Sequence, residues 1–257
     1  MTKIAVVTGV SRGIGVGIVR QLAEDGAKVY MISLTEEKLN LSKSEFDKCG
    51  YDSVVCPCDI TDRAAVKATI DKVIADSGKI DILVNCAGLM PYPASLLDTT
   101  DQWWDDMVEV NLTGTYNVTK AVLPYMLEKK YGRIVNISSV SARKVVGMFV
   151  GYAAAKGALH AYTSALANEV MKDGITVNCV LPGFTESDSM HRIWGTIAEQ
   201  AGITEDEILA PFWAQVPLGR WITPDEIGYT VAFLCSDKAA TVTGQIIKVD
   251  GGYDNHD

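Results

Sequence analysis

The stretch Ile4-Ala5-Val6-Val7-Thr8-Gly9-Val10-Ser11-Arg12-Gly13-Ile14-Gly15 decides the fold of this chain. Its first four residues form an apolar run typical of a buried strand, and residues 16–25 that follow show the apolar spacing of a helix. The glycines between them predict a turn whose backbone N–H groups approach a pyrophosphate at the positive end of that helix. Three residues separate Gly9 from Gly13, which departs from the common G-x-G-x-x-G spacing, so a plain tight turn is the alternative.

Strand and helix patterns alternate along the rest of the chain. Further strands are predicted at 28–33, 53–58, 82–85, 133–138, 176–181 and 245–249. With 257 residues and 48% hydrophobic content, we expect one α/β domain over 1–257. Its fold class is a doubly wound Rossmann-type parallel sheet of about seven strands with helices on both faces. The ligand crevice of such a sheet lies at the carboxyl ends of the strands.

Composition and charge disfavour several classes of partner. A net charge of −9 argues against nucleic acid, which needs clustered Lys and Arg, and against an anionic membrane surface. No apolar stretch is long enough to span a membrane and no signal-type segment is present, so a cytoplasmic location is expected. The six scattered cysteines fit reduced, buried thiols, and we predict no metal site, Cys56-Pro57-Cys58 included. Trp103-Trp104 lies in a predicted amphipathic helix N-capped near Thr100 or Asp101, where packing is favoured over base stacking.

Tyr152 and Lys156 are the strongest chemical signal. The alanine-rich run between them favours a helix, and a spacing of four places phenol and ammonium on one face. A cation beside a phenol favours the phenolate and makes the tyrosine a candidate acid/base catalyst. The same pair also occurs on solvated helices, and only the glycine-rich turn makes the catalytic interpretation strong.

Taken in order, these motifs resemble the short-chain dehydrogenase/reductase family over nearly the whole chain. Its T-G-x-x-x-G-x-G and Y-x-x-x-K patterns match 8–15 and 152–156, and Asn85-Cys86-Ala87-Gly88, Pro182-Gly183 and 244–252 also match. Cys86 departs from the Asn-Asn-Ala-Gly that is commoner in the family. The resemblance implies hydride transfer between a nicotinamide and a secondary alcohol or ketone. The expected catalytic residues are Asn111, Ser139, Tyr152 and Lys156.

The resemblance also assigns a role to each catalytic residue. Tyr152 passes the proton, and Lys156 lowers the pKa of that tyrosine and holds the nicotinamide ribose. Ser139 donates to the carbonyl oxygen. Ser138 competes for that role, but the family spacing to Tyr152 and strand alternation favour Ser139. Asn111 is expected to distort its helix and relay protons to Lys156, against the alternative of a helical Asn that faces solvent.

The expected cofactor contacts follow from the same resemblance. They are Gly9, Ser11, Arg12, Gly13, Ile14, Gly15, Ser33, Asp59, Ile60, Asn85, Ala87, Gly88, Tyr152, Lys156, Pro182, Gly183 and Thr185. No acidic residue ends the second strand, and Ser33 and Arg12 suit the extra phosphate, so NADP(H) is favoured. Leu34 takes the place where many NADP-dependent relatives have a second basic residue, so NAD(H) stays open. Asp59 is expected at the adenine amino group, with helix N-capping as its other role.

The substrate depends on residues 186–216, which we predict to form a helical lid. Two helices are expected there, at 187–200 and 204–213, the second with a capping box from Thr204 to Glu207. The apolar residues expected around the substrate are Met90, Tyr92, Met148, Phe149, Trp194 and Trp213, for which a plain core role is the alternative.

Within the family, the pattern is close to bacterial 3-oxoacyl-carrier-protein reductases. Those enzymes often carry basic residues around the segment that here reads 167–173, which is neutral to acidic, and the lid here looks longer. We therefore expect a small-molecule substrate, a free alcohol or ketone such as a hydroxysteroid or cyclic ketone, with a 3-oxoacyl thioester as the alternative. A non-catalytic dinucleotide sensor is a remote alternative that the intact Ser139, Tyr152 and Lys156 disfavour. By resemblance, a homo-oligomer, tetramer or dimer, is also expected.

Overall fold

A computed structural model describes residues 2–90, 92–144 and 147–255. In this part of the chain seven strands form one parallel sheet in the order β3-β2-β1-β4-β5-β6-β7. The strands are β1 (Ile4–Thr8), β2 (Lys28–Ser33), β3 (Ser53–Pro57), β4 (Ile82–Asn85), β5 (Gly132–Ile137), β6 (Ile175–Pro182) and β7 (Ile246–Val249). The predicted fold class is confirmed, and each predicted strand lies within one residue of its observed bounds.

Helices connect these strands and cover both faces of the sheet. They are α1 (Ile14–Glu24), α2 (Glu36–Lys48), α3 (Arg63–Ser77), α4 (Asp101–Val108), α5 (Gly114–Lys129), α6 (Val150–Val170), α7 (Asp188–Ala201), α8 (Glu205–Trp213) and α9 (Pro224–Cys235). Two apolar clusters divide the core, one between the sheet and helices α1 and α9, the other between the sheet and α3 and α5. The central strands β1 and β4 are buried at every position, and their sequences are accordingly apolar in runs rather than alternating.

The glycine-rich turn joins β1 to α1 through two residues with positive φ. Gly9 has φ 77° and Gly13 has φ 56°, a conformation that glycine adopts without steric cost. A Cβ on Gly9 would lie 2.6 Å from the backbone of Ala87. The turn therefore packs directly on the segment after β4, and the Thr8 hydroxyl accepts hydrogen bonds from the backbone N–H groups of Cys86 and Ala87.

The segment predicted as a lid contains the two expected helices. Ser187 caps α7 and Thr204 caps α8, and the predicted capping box between Thr204 and Glu207 is confirmed. His191 on α7 contacts Glu205 on α8 at 2.7 Å between Nδ1 and Oε1, which ties the two helices together. Among the helices of the described chain, none is both long enough and apolar enough to cross a bilayer.

Candidate active site

One cavity of about 700 Å³ lies at the carboxyl ends of the strands. It begins at the glycine-rich turn, passes Ser139, Tyr152 and Lys156, and ends beneath the predicted lid. Every residue expected at the cofactor lines it except Asn85. The sequence therefore located the cavity wall, including the parts contributed by Asp59 and Ile60 after β3 and by Pro182, Gly183 and Thr185 after β6.

Lys156 lies buried at the centre of this wall. Its ammonium donates to the carbonyl oxygen of Ile137 at 2.9 Å and lies 5.9 Å from the centre of the Tyr152 ring. Burial disfavours the charged form and lowers the pKa of Lys156 to about 8. In the absence of a bound ligand, the amine therefore titrates close to neutral pH.

Tyr152 keeps its proton in this structure. Burial raises the pKa of the phenol, and a hydrogen bond with the Ser139 side chain opposes that shift. Desolvation outweighs the contact with Ser139, and Lys156 is not among the groups that shift the pKa of Tyr152 in this structure. That Lys156 lowers this pKa stays a prediction. The phenol is a proton donor here, not a phenolate.

The two candidate serines after β5 are separated by their contacts. The Ser138 hydroxyl donates to the carbonyl oxygen of Lys156 at 2.8 Å and contacts His160 Nε2 at 3.1 Å. Both contacts of the Ser138 hydroxyl are therefore with helix α6. Ser139 interacts with Tyr152 and accepts from the Ser141 backbone N–H at 3.1 Å, which leaves its hydroxyl in the cavity wall beside the phenol.

Asn111 lies in one turn of π-helix, Glu109–Thr113, between α4 and α5. It is fully buried, so the solvent-facing alternative is excluded. Its amide donates to the carbonyl oxygens of Leu89 and Met107, and its Oδ1 accepts from the Leu89 backbone N–H at 3.1 Å. A Cβ on Gly88 would lie 2.9 Å from Asn111 Oδ1 and 3.1 Å from Lys156 Nζ. Asn111 thus lies behind the cavity wall, close to Lys156.

Asn85 is a correction to the expected cofactor contacts. Its amide donates to Thr119 Oγ1 at 3.0 Å and to Asn136 Oδ1 at 2.9 Å in the core between the sheet and α5. The side chain points away from the cavity because it satisfies polar groups inside the fold. Cys86 lines the cavity in its place, and burial raises the pKa of that thiol to about 12.

The adenosine end of the cavity is formed by the ends of β2 and β3. Ser33, the exposed Leu34 and the exposed Arg12 line it, and no carboxylate of the described residues forms an ion pair with Arg12. Asp59 accepts from the backbone N–H and the hydroxyl of Thr61. Helix N-capping, the alternative role for Asp59, is not observed, since Asp62 caps α3.

A dinucleotide fits the residues of this wall. A Cβ on Gly15 would lie 2.3 Å from the carbonyl oxygen of Gly9, and one on Gly183 would lie 2.7 Å from the Asp250 backbone. Only glycine permits this close packing, which leaves backbone N–H groups at the start of α1 open to an anion. The described part of the chain holds no group of His, Cys, Asp and Glu side chains suited to a metal ion.

The part of the cavity beneath the lid is largely apolar. Met90, Met148, Phe149 and Trp194 line it as expected. Tyr92 and Trp213 do not, and both are corrections: Tyr92 is about half exposed outside the cavity, and Trp213 packs on Phe184 and Trp221.

Several residues of this wall are not among those predicted to surround the substrate. Phe212, one position before Trp213, lines the cavity, as do Phe184, Met190 and Tyr253. Helical periodicity does not fix which of two adjacent aromatic residues faces inward when both faces are packed. Tyr253 lies far from the lid in sequence, and no motif placed it there.

Comparisons with known proteins agree with this geometry. A family model described as enoyl-(acyl carrier protein) reductase matches residues 9–254. The 3-oxoacyl-(acyl-carrier-protein) reductase FabG of Escherichia coli (strain K12) is 39% identical over 250 residues, which span 97% of this chain and 96% of that protein. FabG of Staphylococcus aureus (strain N315) is 38% identical over 98% of each chain.

A solved structure extends the comparison to the whole fold. A variant of the actinorhodin polyketide ketoreductase, crystallised with NADPH, superposes with a TM-score of 0.94 at 35% identity, covering 99% of this chain and 98% of that one. With the glycine-rich turn, the buried Tyr152 and Lys156 and the seven-stranded sheet, these matches establish that the chain belongs to the short-chain dehydrogenase/reductase family of NAD(P)-dependent oxidoreductases.

Proposed function

We propose that this protein uses NADPH to reduce the ketone of a 3-oxoacyl thioester to the secondary alcohol. The observation that carries the proposal is the continuity of the cavity described above. It connects the glycine-rich turn with the Ser139, Tyr152 and Lys156 side chains and with an apolar space under α7 and α8. Its volume of about 700 Å³ is in the range of sites that hold a cofactor or drug-sized ligand.

This choice reverses the order of the two substrate classes predicted from the sequence. A free hydroxysteroid or cyclic ketone was preferred there because residues 167–173 lack a basic cluster. Relatives that cover nearly the whole chain are named 3-oxoacyl-(acyl-carrier-protein) reductase and polyketide ketoreductase, which favours the thioester. The apolar lid residues then accommodate a bulky acyl chain.

The chemistry assigned to the chain follows from the burial of its polar groups. NADPH, when bound, supplies the hydride. Tyr152 holds a proton at neutral pH, since a phenol ordinarily has a pKa of about 10 and burial raises it further. We assign to Tyr152 the transfer of that proton to the carbonyl oxygen. The Ser139 hydroxyl beside it is assigned to the same oxygen, where a hydrogen bond stabilises the charge that develops.

Lys156 and Asn111 are assigned roles in positioning the groups that react. The Lys156 ammonium is assigned to the nicotinamide ribose and, through it, to the orientation of Tyr152. Asn111 is a positioning residue, because its amide joins Leu89 and Met107 and its Oδ1 faces the space shared with Lys156 beneath Gly88. A relay of protons from solvent to Lys156 along this route remains part of the proposal.

NADPH is preferred over NADH on the chemistry of the adenosine end. Arg12 offers a planar charged group with no carboxylate partner among the described residues, and Ser33 offers a hydroxyl. A structural relative is described with NADPH. The remaining contacts to the dinucleotide are proposed at the glycine-rich turn, Asp59, Ile60 and the segments 87–88 and 182–185.

The test is NADPH oxidation, followed by absorbance, with acetoacetyl and longer 3-oxoacyl thioesters, cyclic diketones and oxosteroids as substrates. Tyr152→Phe should lower turnover by about 10²-fold or more while NADPH binding, measured by fluorescence titration, stays intact. Tyr229→Phe on the exposed face of α9 removes the same hydroxyl away from the cavity and is the matched control. Turnover of oxosteroids alone would reject the thioester proposal, and turnover that survives Tyr152→Phe would reject the assigned proton donor.

We also propose that the protein is a homo-oligomer. Strand β7 is an edge of the sheet, and Tyr229 and Phe233 on the neighbouring α9 are both about half exposed. A second copy placed on this face would cover both aromatic rings and the strand edge. Light scattering after gel filtration should give a multiple of 27.8 kDa, and the double change Tyr229→Lys with Phe233→Lys should reduce that multiple.

A further inference from the structure

Tyr253 places a phenol in the wall of the active-site cavity from the far end of the chain. Only 4% of its surface is exposed, and it lines the cavity. Its ring meets the Phe184 ring edge-on, with 5.2 Å between centroids, and belongs to a small apolar cluster with Val140 and Val216. Val140 directly follows Ser139, so Tyr253 packs against the segment that carries a proposed catalytic hydroxyl.

The turn that carries Tyr253 is held at several points. Asp250 accepts from the backbone N–H groups of Gly252 at 3.0 Å and Asp254 at 2.8 Å. The Asp254 carboxylate binds Arg143 at 2.9 Å. Lys144 donates to the carbonyl oxygen of Tyr253 at 2.8 Å, and its ammonium lies 3.8 Å from the ring centroid. A side chain fixed by this many contacts is suited to positioning a ligand.

The Tyr253 hydroxyl makes no hydrogen bond to any residue within 2–90, 92–144 and 147–255. It is also not among the fully enclosed side-chain atoms that lack a partner, so part of the hydroxyl is accessible. Because Tyr253 lines the cavity and is otherwise buried, that access is to the cavity. Buried tyrosine hydroxyls ordinarily have a partner, and here a ligand atom is what can supply it.

The lid wall carries a second donor that lacks an acceptor among the described residues, but this one is fully enclosed. The indole Nε1 of Trp194 is buried without an acceptor in the described part of the chain, and Trp194 also lines the cavity. Its ring packs on Phe212, with 4.9 Å between centroids. The Tyr253 hydroxyl is therefore the donor that a ligand in this mainly apolar wall can reach, and an oxygen atom matches it better than a hydrocarbon chain does.

We propose that the Tyr253 hydroxyl determines substrate specificity by donating to a second oxygen of the acyl chain, farther from the thioester than the ketone that is reduced. The position follows from the exposure of the lining residues: Leu89 and Met148 are 40% and 49% exposed, whereas Tyr253 is only 4% exposed, so a chain that enters past the first two reaches Tyr253 with its far part. The inference rests on the proposed function and narrows it: the preferred substrate is an oxygenated chain of the 3,5-dioxoacyl type, not a saturated fatty acyl chain.

The experiment compares two thioesters of equal length, 3-oxooctanoyl and 3,5-dioxooctanoyl N-acetylcysteamine. Wild type should prefer the dioxo substrate in kcat/KM, and Tyr253→Phe should lower that preference by about fivefold to tenfold, the usual worth of one such hydrogen bond. The loss should fall on the dioxo substrate alone. Tyr229→Phe is the matched control and should leave the preference unchanged, and thermal unfolding of each variant checks that packing is preserved.

The outcomes separate the inference from the function on which it rests. Reduction of both substrates with a preference that Tyr253→Phe does not alter would overturn the inference and keep the proposed function. An equal loss on both substrates would also overturn it, because the hydroxyl would then act on the thioester or on the fold. Failure of wild type to reduce either thioester would overturn the proposed function and this inference with it.

Discussion

Replacing Lys156 with Met should stabilise the protein at neutral pH while it removes activity. Burial lowers the pKa of this amine from 10.5 to about 8, and at about 1.4 kcal/mol per unit the folded chain carries a cost of about 3 kcal/mol for the charge. Methionine fills a similar volume without charge. Loss of the hydrogen bond to the Ile137 carbonyl costs the variant about 1 kcal/mol. The free energy of unfolding at pH 7 should therefore be higher for the variant by about 2 kcal/mol.

The stability advantage of Lys156→Met over wild type should decrease as the pH rises. Below about pH 8 the amine is protonated in both the folded and the unfolded chain, and the full cost is present. Between about pH 8 and 10.5 the unfolded amine still holds its proton whereas the folded amine has lost it, so the stability of wild type rises relative to the variant. At pH 10 about 0.8 kcal/mol of the cost remains, because the unfolded amine is still mostly protonated. This nearly offsets the hydrogen bond worth about 1 kcal/mol, so wild type and Lys156→Met should be almost equally stable at pH 10.

Urea unfolding of the cofactor-free protein, followed by tryptophan fluorescence at pH 7 and pH 10, measures both values. Burial raises the pKa of the thiols of Cys86, Cys179 and Cys235 to about 12, which lowers stability at high pH in both proteins. The difference between wild type and variant cancels most of this effect, because burial is its largest cause for all three thiols. Lys238→Met, at an exposed lysine, is the control, and its stability relative to wild type should not change in this way with pH. A Lys156→Met variant that is less stable at pH 7, or a difference that does not change with pH, would refute the argument from desolvation.

Three further perturbations test other parts of the structure. Arg12→Ala should raise KM for NADPH by about tenfold and leave KM for NADH nearly unchanged, since it removes one charge-assisted contact to the extra phosphate; an equal effect on both cofactors would contradict the assignment. Gly17→Ala should lower the free energy of unfolding, measured in urea, by more than about 2 kcal/mol, because its Cβ would lie 2.3 Å from the carbonyl oxygen of Pro224. Gly195→Ala is the control: its Cβ would have no neighbour closer than 3.9 Å, and the free energy of unfolding should rise by about 0.5 to 1 kcal/mol. Cys86→Asn restores the amide common in the family and should keep kcat within about threefold, at about 1 kcal/mol of stability for the larger side chain; a loss of activity would show that the thiol matters to the cavity.

The strands and the cavity wall were predictable because each depends on local sequence. Continuous apolar runs such as 4–7 and 82–84 identify strands buried on both faces, and the carboxyl ends of parallel strands meet at one edge. Gly9 and Gly13 need positive φ, which the sequence signals directly. The positions of Ser33, Asp59 and Pro182 in the wall then follow from topology alone.

The errors concern the direction in which a side chain points inside a packed structure. Asn85 ends a strand, yet its amide turns inward to Thr119 and Asn136, partners that lie 34 and 51 residues away. Phe212 rather than Trp213 faces the cavity because α8 is packed on more than one side. Long-range packing decides each case, and no spacing in the sequence carries that information.

The pKa values of Tyr152 and Lys156 depend on how deeply the fold buries them, which their spacing in the sequence does not predict. These pKa values bear on the direction of the reaction. A spacing of four predicts that Lys156 favours the phenolate of Tyr152, but complete burial acts on both groups in the opposite sense, raising the pKa of the phenol and lowering that of the amine. Both shifts favour neutral species. A neutral phenol is the form that gives a proton to a carbonyl oxygen, so at pH 7 the chain is already in the state that ketone reduction requires. Alcohol oxidation needs the phenolate and should therefore become favourable only at higher pH.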